Sequence, residues 1–183
     1  VNKITELDKI NNQKTLIVMV GDHGEMLEEE ENDCLAGHGL YTTAKLQNVA
    51  CIFIKPESNG LKINGNIGSQ IDIVPTVMDY LGIEPSVERY EQGVSLYSQE
   101  LASYPIYLSS MESYALIENG YFFEFRDKNS PNVRITKLSF SDEDLKAKYE
   151  NINNWNNHKE IHEKYNRVKK FFKLQEEFLN QLK

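Results

Sequence analysis

Asp22 and His23, set directly after an apolar run, are the residues of this sequence best suited to do chemistry. A carboxylate beside an imidazole offers one oxygen and one nitrogen to a single divalent cation. Gly21 and Gly24 flank the pair and permit a tight backbone that turns both side chains toward one point. Further along, His38 stands between Gly37 and Gly39, ahead of the next apolar run. It can serve as a further metal ligand, an anion-binding group or a general acid. The other candidates have plainer readings. The acidic run from Glu28 to Glu31 is a solvated face, since its spacing matches no calcium loop. His158 and His162 are four apart, but Glu160 falls at the wrong position for a zincin helix, which leaves the pair structural or solvent-facing. Trp155, Phe171 and Phe172 belong to the core of the final helix.

The elements that must position the pair follow from periodicity. Ile4, Leu7 and Ile10 predict an amphipathic helix over 2–12. Thr15 to Val20 is a continuous apolar, β-branched run that suits a central strand covered on both faces, as in a parallel sheet, with Asp22 and His23 at its end. In open α/β sheets, ligands bind outside the carboxyl ends of strands. Val49 to Ile54, closed by Lys55 and Pro56, is a second buried strand. Ile71, Val74, Val77, Met78 and Leu81 predict a helix that Asp72 or Ser69 can cap, Asp72 being favoured because it puts Pro75 in the first turn, with Gly82 as the stop. Beyond Ser98, the segments 104–110, 114–117, 121–126 and 133–140 are short, aromatic and β-branched. Asn119-Gly120 marks a hairpin between two of them. The remainder, 142–182, reads as helix, with Ile161, Tyr165, Val168, Phe172 and Leu179 on one face.

With 183 residues, the chain holds one ordinary domain or a domain with a small appendage. Its 20 basic and 28 acidic residues give a net charge of −8, which argues against a nucleic-acid module. No apolar run approaches the roughly 20 residues that span a bilayer. Cys34 and Cys51 are too few for a disulfide scaffold, and the redox compartment stays open. Because the first residue is Val1, the expectation is a processed form or a piece of something longer.

Taken in order, Leu16 to Glu25, Gly37-His38-Gly39, Val49 to Pro56, Asp72 to Thr76, Leu81 to Ile83 and Gly93 to Leu96 resemble the C-terminal half of the sulfatase-like branch of the alkaline phosphatase superfamily. That branch includes sulfatases, phosphonate monoester hydrolases, and phosphoethanolamine and phosphoglycerol transferases such as lipoteichoic acid synthases. The resemblance covers 15–96 specifically and the rest loosely. It implies an α/β fold, with 1–98 as part of an α/β/α sandwich and 99–183 as a small antiparallel sheet packed on a long helix. By the same resemblance Asp22 and His23 are metal ligands, while His38 contacts the sulfate or phosphate group or a second metal. The metal would be a divalent ion (Mn, Zn, Mg or Ca).

Neither cysteine lies in the Cys-x-Pro-x-Arg setting of a sulfatase nucleophile: Leu35 follows Cys34 and Ile52 follows Cys51. The nucleophile and the remaining metal carboxylates would then lie upstream of this chain, leaving it catalytically silent alone and a weak metal binder. The implied function is hydrolysis of sulfate esters through a covalent intermediate. The alternatives are a phosphoethanolamine or phosphoglycerol transferase, which the run from Gly68 to Pro75 slightly favours, and a non-catalytic remnant of the fold. Substrates would be small sulfate or phosphate esters, with glycans or lipid head groups in view. Relatives of this type are often exported or membrane-anchored, though nothing in the residues fixes a compartment. A sheet cut from its N-terminal half would leave an exposed edge and an apolar face, so either self-association or a rearranged, compact piece is expected.

Overall fold

The computed structural model of the chain describes residues 2–24, 42–56, 62, 64–83, 93–141 and 146–182. Two compact units divide it, Val1–Leu35 with Thr43–Ile63, and Ala36–Thr42 with Asn64–Lys183. Helix and strand are mixed throughout, as an α/β protein requires.

In the first unit, the apolar repeat of Ile4, Leu7 and Ile10 forms helix α1 (Asn2–Asn11). Asn12 leaves it at φ 50, in the left-handed region that asparagine tolerates. The Asp8 carboxylate then accepts hydrogen bonds from the Thr15 N–H at 2.9 Å and the Thr15 hydroxyl at 2.7 Å, fixing the entry into strand β1 (Ile17–Val20). A single helical turn, α2 (Ala44–Gln47), capped by the Thr43 hydroxyl, precedes strand β2 (Cys51–Ile54). Both strands lie where the apolar runs predict them, but their pairing differs from the parallel expectation. They run antiparallel, Ile17 opposite Ile54 and Val20 opposite Cys51. Met19, Val20 and Ile52 are each 43% exposed, so the described residues do not cover both faces. An unbroken apolar run reports that both faces carry apolar side chains; it carries no information about strand direction.

The second unit opens on a carboxylate staple. Asp72 is the N-cap residue of helix α3 (Ile73–Tyr80), as predicted, but its side chain does not cap that helix. Instead, Asp72 Oδ2 accepts from the Ser69 N–H at 2.6 Å and Oδ1 from the Val94 N–H at 2.8 Å. Thr76, fully buried, donates its hydroxyl to the Asp72 carbonyl at 2.5 Å and accepts from the Leu96 N–H at 2.9 Å. A Cβ at Gly93 would collide with the Ile71 carbonyl, so only glycine lets the two segments approach this closely. At the other end of α3, Gly82 takes φ 68, and the N–H groups of Gly82 and Ile83 bond to the carbonyls of Asp79 and Met78. This Schellman closure fulfils the expected stop.

Strands β3 (Ile106–Ser109), β4 (Tyr114–Glu118), β5 (Tyr121–Phe125), β6 (Val133–Ser141) and β7 (Lys146–Ile152) form one antiparallel meander in chain order. Asn119 and Gly120 both have positive φ, 52° and 76°, the two-residue turn their sequence announces. Strand β7 corrects the reading of 142–182 as continuous helix; helix α4 (His158–Gln181) begins only at His158, capped by Asn157. Ile161, Tyr165 and Val168 of α4 pack on Leu116, Phe123, Phe125 and Ile135 of the sheet. Phe172 stacks on Tyr114 at 5.3 Å, and Trp155 meets Phe123 edge-on at 5.5 Å. Leu179 does not join that face. It is 52% exposed, because α4, about 36 Å long at 1.5 Å per residue, outruns the sheet beneath it.

Candidate metal centre

Asp22 and His23 follow β1 directly, at its carboxyl end, where the sequence puts them. The backbone on either side is tied to one stretch of the same unit. The Gly21 N–H donates to the Ala50 carbonyl at 3.0 Å, and the Gly24 N–H to the Leu46 carbonyl at 2.9 Å. These glycines act differently from the expectation. Neither adopts positive φ; what they supply is room. A Cβ at Gly24 would lie 2.7 Å from the Leu46 carbonyl oxygen, and one at Gly21 would lie 3.1 Å from the Val49 Cβ.

Within this turn the two side chains are mutually oriented. Asp22 Oδ1 accepts from the His23 N–H at 3.0 Å. His23 Nδ1 lies 3.1 Å from the Gly24 carbonyl oxygen. A carbonyl can only accept, so this contact requires the proton on Nδ1 and leaves the lone pair of the neutral ring on Nε2. Metal-ligating histidines commonly show this arrangement, one ring nitrogen held by a carbonyl and the other presented to the ion. His23 Nε2 is 3.6 Å from Asp22 Oδ2. That separation is short enough for both atoms to reach one ion through bonds of about 2.1 Å. The donor set, one imidazole nitrogen and one carboxylate oxygen, therefore fits a divalent ion of borderline hardness.

The centre is open to solvent, with the Asp22 side chain 90% and the His23 side chain 50% exposed. Among the described residues, no third His, Cys, Asp or Glu joins them. His38 and Cys34 lie outside the described residues. His158 and His162 are exposed on α4, in keeping with their solvent-facing reading. Cys51, in β2, is a free thiol that partial burial pushes up from its ordinary value, so it carries less thiolate at neutral pH than a typical cysteine.

One charged constellation has no counterpart in the sequence reading. Glu118, at the end of β4, takes ion pairs from both Lys164 and Arg167 of α4, the latter at 2.5 Å. Lys164 also stands 4.7 Å above the Phe123 ring. Burial pushes Glu118 up, but the hydrogen bonds and charges of Lys164 and Arg167 outweigh it and hold the carboxyl below its ordinary value. The signal was a matter of pairing: Lys164 and Arg167 are three apart on one helix face, yet nothing in the sequence says which strand end they meet.

A family model described as Sulfatase matches residues 4–83, a span that contains most of α1, both strands of the first unit, the Asp22–His23 turn and α3. Neither a curated protein nor a solved structure matches the chain.

Proposed function

We propose, from the premise that residues 4–83 belong to the sulfatase family, that this chain is the metal-binding part of an enzyme that hydrolyses sulfate esters. The single observation that carries the reading is the Asp22–His23 turn, with Nε2 and Oδ2 3.6 Å apart and Nδ1 held by the Gly24 carbonyl. Asp22 and His23 hold the divalent ion. When bound, the ion supplies Lewis-acid polarisation of the ester and lowers the pKa of the attacking oxygen. The Gly24 carbonyl keeps a proton on His23 Nδ1, so the neutral ring presents its lone pair at Nε2. Asp22 contributes negative charge that offsets the ion's own. His38 hydrogen-bonds a non-bridging oxygen of the ester or protonates its leaving group. The nucleophile lies upstream in this reading, since neither Cys34 nor Cys51 stands in a Cys-x-Pro-x-Arg setting.

The test has two arms. Titration calorimetry of the 183-residue chain with Mn2+ or Zn2+ should show weak binding that His23→Gln or Asp22→Asn weakens by about tenfold or more. Binding unchanged in both variants would remove the ligand roles. In the longer protein, His23→Ala should cost orders of magnitude in aryl sulfate hydrolysis. Phosphate-ester turnover exceeding sulfate-ester turnover would assign the same centre to the phosphotransferase reading that the run from Gly68 to Pro75 favours.

A further inference from the structure

Beyond the sheet, α4 presents an apolar stripe that the described residues leave largely uncovered. Leu174, Phe178 and Leu182 are half or more exposed, and Phe171 is 38% exposed although it stacks on Tyr107 at 4.3 Å. The spacing of Phe171, Leu174, Phe178 and Leu182 keeps them on one side of the helix. The stripe is flanked on one edge by Lys170 and Glu177. Seven residues apart, these two lie within about 20° of one line along the helix and carry opposite charge. A two-fold axis perpendicular to the helix, midway between them, exchanges their levels. Glu177 lies 3.7 Å from Lys173 of its own helix, and an antiparallel copy brings the other copy's Lys170 to the same carboxylate, twice. In the same register, Phe171, Leu174 and Phe178 of the two copies fall at alternating heights and interleave.

We infer that the C-terminal half of α4 is a self-complementary docking surface for a second copy of this chain, paired antiparallel through Phe171, Leu174 and Phe178 with crossed Lys170–Glu177 ion pairs. Such an isologous patch closes on itself and gives a dimer, not a fibre. An anionic membrane is the competing occupant, since Lys170 flanks the stripe. Glu177, on the same edge, disfavours it, as its carboxylate would face the lipid charge beside the stripe.

Sedimentation of the full chain over a concentration series tests the pairing. The unsubstituted chain should pass from monomer to dimer, and Leu174→Asp should abolish the dimer while its thermal midpoint matches that of the parent at dilutions where the parent is monomeric, because the side chain is outside the core. Lys170→Glu and Glu177→Lys should each weaken the dimer about tenfold, while a mixture of the two variants should associate at least as tightly as the parent. A monomer at all concentrations, a dimer indifferent to Leu174→Asp, or a mixture no tighter than either variant alone would overturn the proposal. Binding of the monomer to phosphatidylglycerol–phosphatidylcholine vesicles, lost in Leu174→Asp, would also overturn it by assigning the stripe to lipid.

Discussion

Asp72 shows how one side chain can organise a segment without touching substrate. It is 5% exposed, and both carboxylate oxygens are occupied by backbone N–H groups, one next to its own helix and one from Val94. Charge-assisted bonds to buried donors are the stronger kind, and removing the acceptor strands both donors. Asp72→Ala should therefore lower unfolding stability by about 3 kcal/mol, read from urea denaturation. The glycines around it sharpen the same prediction. Gly93→Ala meets the rigid Ile71 backbone, whereas Gly68→Ala meets the tip of the Leu96 side chain, which can rotate away. The Gly93 variant should be clearly the less stable of the two. At this scale the sequence was half legible. It marked Asp72 as a cap from its place before Ile73, but its second partner is 22 residues on, a contact that no local pattern encodes.

Elements are joined in the second unit by an ionic tie as well as by the aromatic core. Glu118 fastens β4 to α4, and its carboxyl is held below its ordinary value of 4.5. A depressed folded-state pKa contributes stability that is fully present above the unfolded value and is lost as pH falls through the folded one. The native chain should lose urea resistance below about pH 4.5 more steeply than Glu118→Gln, which has no such group to protonate. Parallel curves for the two proteins would show that the tie adds nothing. Hairpin and cap signals were the most legible features here, because Asn119-Gly120 and Gly82 satisfy backbone demands that few other residues meet. Strand β7 was hidden. Lys146, Lys148 and Glu150 alternate with Ala147 and Tyr149, but lysine, glutamate and alanine are also good helix formers, and the acidic residues before them suggest a helix start. Its edge position explains the charges, since lysines on an edge strand discourage further strand pairing.

At the scale of the molecule, the aromatic core and the Asp22–His23 pair belong to different compact units, so the packing of one says little about the chemistry of the other. The place of Asp22 and His23 at a strand end was readable, as an apolar run that stops abruptly at polar residues between glycines. What was not readable was the antiparallel partner of that strand, which lies more than thirty residues on in Cys51–Ile54. The Asp72 staple carries one consequence for handling this protein. Ile83 is bonded back to Met78, and Val94 and Leu96 are bonded to Asp72 and Thr76, so the chain on both sides of residues 84–92 is anchored within one unit. An epitope inserted between Val94 and Ser95 would pull the Val94 and Leu96 N–H groups away from Asp72 and Thr76, so it should prevent folding, read as loss of a cooperative thermal transition. Val94 to Leu96 is a clasp on α3 that no label, fluorophore or affinity handle should interrupt.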